Sequence, residues 1–325
     1  MKVLVTGSSG WLGRHLVPLL RRAGHGTLGL DAVPGARTDV VADVADRPRL
    51  AALFAEHGFG GVIHAAALHK PDIARHPQQA FVDVNVTGTL NLLEEASARP
   101  GTRFVCTSTT SLMISQAVRA ARSDRAAWLD EASGPLEPRN IYGVTKLTAE
   151  GLCRQHHLTR GLPVIVLRTA RFFPEEDDTL AGLSGPNLKA NEMLHRRATV
   201  ADMARAHLAA LDRAPDVGFG LYLVSAPTPF ARADVRELKT DAAAVIARAF
   251  PDAPDLYAAA GWRLPDGIDC VYDGTEITRA LGFRYETGFA EVLESLRAGA
   301  PSPVAHDPGY VSPMVTHGAS LGGWE

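Results

Sequence analysis

Tyr142 and Lys146 stand four positions apart in the run Tyr-Gly-Val-Thr-Lys. On a helix, residues at that spacing share one face. An ammonium beside a phenol stabilises the phenolate. The pair therefore predicts a phenol with a pKa below its usual value near 10, able to act as a general acid/base near neutral pH. Upstream lies the run Thr107-Ser108-Thr109-Thr110-Ser111, in which a hydroxyl could hold a substrate's reacting oxygen against the phenol. Thr109 is the first choice and Ser108 the second.

A second constellation opens the chain. Residues 2–6 read as a buried strand and run into Thr6-Gly7-Ser8-Ser9-Gly10-Trp11-Leu12-Gly13, after which 11–23 reads as a helix. Glycines at these positions let the chain turn sharply, let backbone amides approach a pyrophosphate and let the helix pack on the sheet. The helix also points its partly positive amide end at the phosphates. The spacing is Gly-x-x-Gly-x-x-Gly rather than Gly-x-Gly-x-x-Gly. Gly7, Ser9, Gly10, Trp11, Leu12 and Gly13 are the expected dinucleotide contacts. Asp31 ends the next strand, where a carboxylate accepts hydrogen bonds from both adenosine ribose hydroxyls and repels a 2′-phosphate. NAD is therefore favoured over NADP, although Arg37 is a nearby cation that could compensate. Asp43 and Val44 follow the third strand, where an acidic side chain could bond the adenine amino group. Lys146 could also bond the nicotinamide ribose.

The surrounding pattern supplies a frame for these residues. Strands are expected at 2–6, 27–30, 40–41, 61–64, 103–107, 164–168 and 220–225. Helices are expected at 11–23, 49–57, 81–98, 141–160 and 200–213. Such alternation predicts an α/β, Rossmann-type doubly wound parallel sheet of about seven strands with a small C-terminal substrate-side lobe. The NAD-binding core is assigned to 1–170. The lobe, interleaved with the last core elements, is assigned to 171–298, and a flexible tail rich in Gly, Pro, Ser and His to 299–325.

Composition narrows the function classes. The chain has 325 residues, 46% hydrophobic, and a net charge of −3. That excludes a disordered chain and leaves no basic block for nucleic acid. The three cysteines are scattered, which favours a reducing compartment. No apolar run approaches the roughly 20 residues of a membrane span, and the first residues do not read as a signal peptide. A cytoplasmic enzyme is expected. His64, His156 and His157 have no ligand-like spacing, so no metal is expected.

The chain resembles the extended short-chain dehydrogenase/reductases, the NAD-dependent epimerase/dehydratase group. The resemblance rests on TGSSGWLG at 6–13, Asp31, ADV at 42–44, HAAA at 64–67, NVTGTLNLLEEA at 85–96 and TST at 107–109. It continues in YGVTK at 142–146, LRTARFFP at 167–174 and RRATVADMARAHLAAL at 196–211. It implies a Thr109–Tyr142–Lys146 triad. It also implies a cofactor lined by Ala65, Ala66 and Ala67, an active-site backbone supported by Asn85, and a nicotinamide flanked by Arg168 and the residues to 172. A homodimer through the helices at 81–98 and 141–160 is implied as well.

Departures from that group bear on the substrate, which is expected to be a sugar-like small molecule. Only about 25 residues separate Phe173 from Thr199, too few for the nucleotide-binding element of nucleotide-sugar enzymes. The shortness resembles the uronate dehydrogenases. Thr109 to Tyr142 is a longer interval than usual, with a helix expected at 117–128. Lys70 should leave the sheet's carboxyl edge, where such sheets bind ligands. Arg171 and Arg197 could clamp a carboxylate or phosphate. His69, Ser108, Thr109, Asn187 and Asn191 complete the substrate candidates, and the acidic run at 175–178 reads as a solvated loop. Three functions compete: a sugar or nucleotide-sugar epimerase, a net dehydrogenase or reductase of a free sugar, sugar acid or polyol, and a non-catalytic NAD-binding protein.

Overall fold

Val3 and Val5 turn to one face of the strand Lys2–Thr6 and Leu4 to the other, and all three are fully buried. A strand covered on both faces needs helices on both, which is why it reads as a continuous apolar run. The computed structural model describes residues 1–172 and 183–304. The acidic run at 175–178 and all but the first residues of the expected tail lie outside that range.

The chain runs β1 (Lys2–Thr6), α1 (Trp11–Arg22), β2 (Gly26–Asp31), β3 (Val40–Val41), α2 (Arg47–Glu56) and β4 (Phe59–His64). A 3-10 turn at Lys70–Ala74 precedes α3 (Gln78–Phe81), which continues through a π turn at Val82–Thr87 into α4 (Gly88–Ser97). Then come β5 (Arg103–Thr109), α5 (Gln116–Ala120), β6 (Ala127–Leu129), α6 (Ile141–Arg160), β7 (Val164–Thr169), α7 (Gly185–Met193), α8 (Val200–Val217) and β8 (Phe219–Val224). The lobe adds α9 (Val235–Thr240), α10 (Ala242–Ala249), α11 (Ala253–Ala259), β9 (Cys270–Tyr272), α12 (Thr275–Leu281) and α13 (Phe289–Ala298).

Seven strands pair in parallel in the order β3-β2-β1-β4-β5-β7-β8. The order reverses between β1 and β4, and a doubly wound sheet opens a ligand crevice at the carboxyl ends of its strands at that point. The expected Rossmann-type sheet is present. One core lies between the sheet and α2, α4 and α6; the other joins the opposite face to α1, α8 and the lobe. No described helix is long and apolar enough to cross a membrane.

Two local expectations are corrected. The helix expected at 117–128 stops at Ala120, because Ala121 takes a left-handed conformation (φ 48°). Ala127–Leu129 is instead a strand, paired in parallel with Cys270–Tyr272 about 140 residues away, a partner that no local window reveals. The helix expected at 81–98 is interrupted by the π turn, a feature that often marks a functional site. Asn85 is fully buried within it.

Candidate active site

The glycine-rich loop is shaped by close approaches. Gly7 has φ +73°, and a Cβ there would lie 2.8 Å from the Ala65 carbonyl carbon. A Cβ on Gly13 would lie 2.2 Å from the Gly7 oxygen, whereas one on Gly10 would meet only that oxygen, at 3.2 Å. Gly10 caps α1, whose first turn holds no acidic residue, so nothing there opposes an anion at its amide end. Asp31 accepts from the Ser9 amide (2.9 Å) and the Val33 amide (3.1 Å), tying the end of β2 to the loop. Beside them a cavity of about 410 Å3 is lined by residues that include Ser9, Arg14, Val33 and Arg37. These features fit the adenosine and pyrophosphate parts of a dinucleotide.

Other expected cofactor contacts are also packed against the frame. Leu12 is buried in the core, and Trp11 is nearly buried, its indole donating to the Phe172 carbonyl at 3.3 Å. Asp43 accepts from the Ala45 amide at 2.9 Å, and Val44 packs on Gly88, where a Cβ would lie 2.4 Å from a Val44 methyl.

Beneath the loop runs a buried chain of hydrogen bonds that sequence reading did not find. The Thr89 hydroxyl donates to the Asn85 carbonyl at 2.6 Å, so it accepts from His64 Nε2 at 3.0 Å. His64 Nδ1 then accepts from the Thr6 hydroxyl at 2.8 Å, and that oxygen accepts from the Ala66 amide at 3.2 Å. One neutral tautomer satisfies every member. Burial, assisted by the charge of Lys146, lowers the His64 pKa to about 3. The Asn85 side chain accepts from the Leu68 amide (2.9 Å) and donates to the Leu68 carbonyl and the Thr145 hydroxyl (both 3.0 Å). Asn85 thus links the segment after β4, which holds Ala65, Ala66 and Ala67, to α6.

Asn140 caps α6 by accepting from the Gly143 amide at 2.9 Å. Tyr142 and Lys146 both lie on its buried side. Thr109 ends β5, and its hydroxyl stands close enough to the phenol to favour its ionisation. The His69 ring sits 5.8 Å from the Tyr142 ring, centroid to centroid. Burial pushes the phenol up to about 12, against the lowering effect of the nearby Thr109 hydroxyl. This corrects the expectation that Lys146 brings the phenol down. Desolvation dominates, and the charge of Lys146 acts on His64, His69 and Cys106 instead.

The fold sorts the hydroxyls of 107–111. Thr107 donates to His207 Nε2 (2.9 Å), whose Nδ1 is bound to the Met203 carbonyl. Ser108 donates to Glu150 (2.6 Å) and Thr110 to the Thr169 carbonyl (3.3 Å), while Ser111 bonds Thr109 (3.0 Å). The Ser108 hydroxyl is therefore engaged in the interior. Its cross-strand neighbour Arg168 is likewise turned inward, and its side chain grips both Glu150 oxygens, at 3.0 and 2.7 Å.

The substrate candidates also divide. The amides of Asn187 and Asn191 both donate to the Arg263 carbonyl, at 2.9 and 3.0 Å, and both residues are buried. Arg197 is buried against Glu192 at 2.9 Å. The side chains of these three brace α7, the two asparagines against the Arg263 backbone and Arg197 against Glu192. Glu192 was missed. Arg196, Arg197 and Arg171 surround it and outweigh its burial, lowering its pKa to about 2. Lys70 and Arg171 remain at the sheet's open edge, each half-buried. Arg119 and Arg139, also missed, stand near Lys70, and the three arginines together help to lower its pKa. Only their basic character in an unusually long insert could have drawn attention to them.

A profile of the NAD dependent epimerase/dehydratase family matches residues 3–183. UDP-glucuronate 4-epimerase 1 of Arabidopsis thaliana is 29% identical over 187 residues, which cover 52% of this chain and 42% of that protein. GDP-6-deoxy-D-mannose reductase of Pseudomonas aeruginosa is 36% identical over 169 residues, 51% of each. The chain thus spans about half the length of the curated relatives it matches. Among solved structures, a short-chain dehydrogenase/reductase superfamily protein from Agrobacterium tumefaciens with bound NAD superposes with TM-score 0.63 at 24% identity, over 92% of this chain and 98% of that one. The UDP-Glc/GlcNAc 4-epimerase of Campylobacter jejuni gives 0.65 at 19%, over 91% and 96%. At these identities the likeness is one of fold.

Proposed function

The chain belongs to the NAD dependent epimerase/dehydratase family, and from that premise we propose that it is an NAD-dependent epimerase of a sugar or nucleotide sugar. The observation that carries the reading is that the Thr109 hydroxyl, at the carboxyl edge of β5, stands close enough to the buried Tyr142 phenol to favour its ionisation. The loop at Gly7–Gly13, Asp31 and the 65–67 segment would hold the cofactor. NAD, when bound, supplies the hydride acceptor and donor, so that a sugar carbon could be oxidised and then reduced on its other face. Tyr142 takes the proton of the reacting hydroxyl and returns it. Thr109 positions that oxygen against the phenol. Lys146, on the same buried helix face, would bond the nicotinamide ribose. Asn85 holds α6 against the segment after β4, so the phenol keeps its place.

A second reading, net oxidation of a free sugar or sugar acid, has its own support. The stretch between β7 and α8 carries one described helix, and its two asparagines point to the Arg263 backbone. Among the described residues, that leaves little of a nucleotide-gripping element. The two readings separate in one experiment, in which purified protein is given sugars, sugar acids and nucleotide sugars with NAD. Product formed without a sustained rise at 340 nm is the expected epimerase result. A sustained rise that requires added NAD would replace it with the dehydrogenase.

A further inference from the structure

We infer that Arg168 is a positioning residue for Lys146: it occupies the buried carboxylate of Glu150, which would otherwise capture the Lys146 ammonium, and so leaves that ammonium free for the cofactor. The inference rests on the proposed role of Lys146 toward the nicotinamide ribose and extends it to the residues that keep Lys146 available.

Lys146 and Glu150 stand one turn apart on the buried face of α6. At that spacing their Cβ atoms lie about 6 Å apart, within reach of an ion pair. In the interior little water screens the attraction, so the pull is stronger than on a helix surface. Glu150 nevertheless turns to the sheet. Its Oε1 accepts from the Ser108 hydroxyl at 2.6 Å and from Arg168 Nε at 3.0 Å, and its Oε2 accepts from Arg168 Nη2 at 2.7 Å. A carboxylate has about four acceptor sites, and most are taken here. Both partners stand on paired strands, Ser108 on β5 opposite Arg168 on β7, and the Thr169 hydroxyl donates across to the Ser108 carbonyl at 2.9 Å. Lys146, also buried, makes no hydrogen bond or ion pair among the described residues. Its charge is felt instead by His64 and His69, at the end of β4 and in the segment that follows.

A plain staple between α6 and the sheet does not call for these charges. Cys153 of α6 already shares one apolar core with Cys106 of β5 and with Val164 and Val166 of β7. A buried ion pair is often no more stabilising than apolar side chains of similar volume. The two-pronged grip of Arg168 gives what apolar packing does not: it fixes the direction in which Glu150 points.

The test is titration calorimetry with NAD on the full chain, with thermal melts beside it. Arg168→Met should weaken NAD binding about tenfold or more, as loss of one charge-assisted bond to the cofactor requires. Lys146→Met should do the same, and Arg168→Met/Lys146→Met should bind no more weakly than Lys146→Met alone, because the two changes remove one interaction. Arg168→Met/Glu150→Gln, which has no carboxylate to compete for the ammonium, should return to within about threefold of the wild type. Arg168→Gln still offers Glu150 an amide donor and carries the same comparison if Arg168→Met does not fold. Additive losses in Arg168→Met/Lys146→Met, or a defect that persists once Glu150→Gln is added, would make the pair a mechanical staple and overturn the inference. Lys146→Met that binds NAD as the wild type does would defeat the proposed role of Lys146. A crystal structure of the Arg168 variant then decides the inference by itself: the Lys146 ammonium should lie about 3 Å from a Glu150 oxygen, and an ammonium that has not moved to Glu150 overturns it.

Discussion

Ser108 and Thr109 are consecutive on β5, yet the Ser108 hydroxyl donates to buried Glu150 at 2.6 Å whereas the Thr109 hydroxyl stands beside the Tyr142 phenol. Neighbouring residues of a strand point to opposite faces, and here one hydroxyl serves the interior and the other the crevice. The two substitutions should therefore fail differently. Ser108→Ala should cost about 1–3 kcal/mol of stability with turnover nearly intact, because Arg168 still satisfies Glu150. Thr109→Val should keep the melting temperature within a few degrees and lower kcat by about 100-fold, as for loss of one positioned donor. Steady-state kinetics beside thermal melts would decide, and a larger kinetic defect in Ser108→Ala would reverse the assignment.

With the phenol raised to about 12, Tyr142 rests protonated at neutral pH. Oxidation of a hydroxyl needs the deprotonated form, so kcat/KM for that direction should climb about tenfold per pH unit between pH 7 and 9. Reduction of a ketone uses the protonated form and should stay flat over the same range. Tyr142→Phe should lower both by about 10²–10⁴ and leave NAD affinity within a few-fold. An oxidation rate independent of pH would place the ionisation on another group.

The glycines of the loop should rank by what a methyl group would meet. At Gly13 the added carbon lies 2.2 Å from one backbone atom and 2.6 Å from another, so the helix must move. Gly13→Ala should destabilise the chain by about 1–3 kcal/mol and abolish NAD binding. At Gly10 the nearest atom is 3.2 Å away, and Gly10→Ala should melt close to the wild type. Equal melting temperatures for the two would contradict the packing described.

The buried histidines should make the fold acid-sensitive. His64 has its pKa lowered from 6.5 to about 3, and His69, His195 and His207 fall to about 4. A histidine whose pKa drops on folding supports the fold only while neutral. Its contribution is complete above 6.5 and is lost as pH falls toward the folded value. For His64 alone, the loss at pH 5 is about 2 kcal/mol. Urea midpoints should fall between pH 7 and pH 5, and less steeply in His64→Gln. A midpoint constant over that interval would show that the histidine is not buried as a neutral group.

The sequence by itself determined the parts whose geometry closes within a few residues. The glycine-rich turn after β1, the Tyr142–Lys146 face of α6 and the strand–helix alternation depend on local sterics and on the periods of helix and strand. All three are visible in residue type and spacing. The tertiary structure decided which side chains those elements meet. It turned Asn187, Asn191 and Arg197 into braces of α7, bound Ser108 and Arg168 to Glu150, and paired β6 with β9. It also gathered Lys70, Arg119, Arg139 and Arg171. The direction of the Tyr142 shift belongs to the same class. An i, i+4 lysine is a local fact, but burial is the sum of everything packed around the phenol, and desolvation is the largest influence on it.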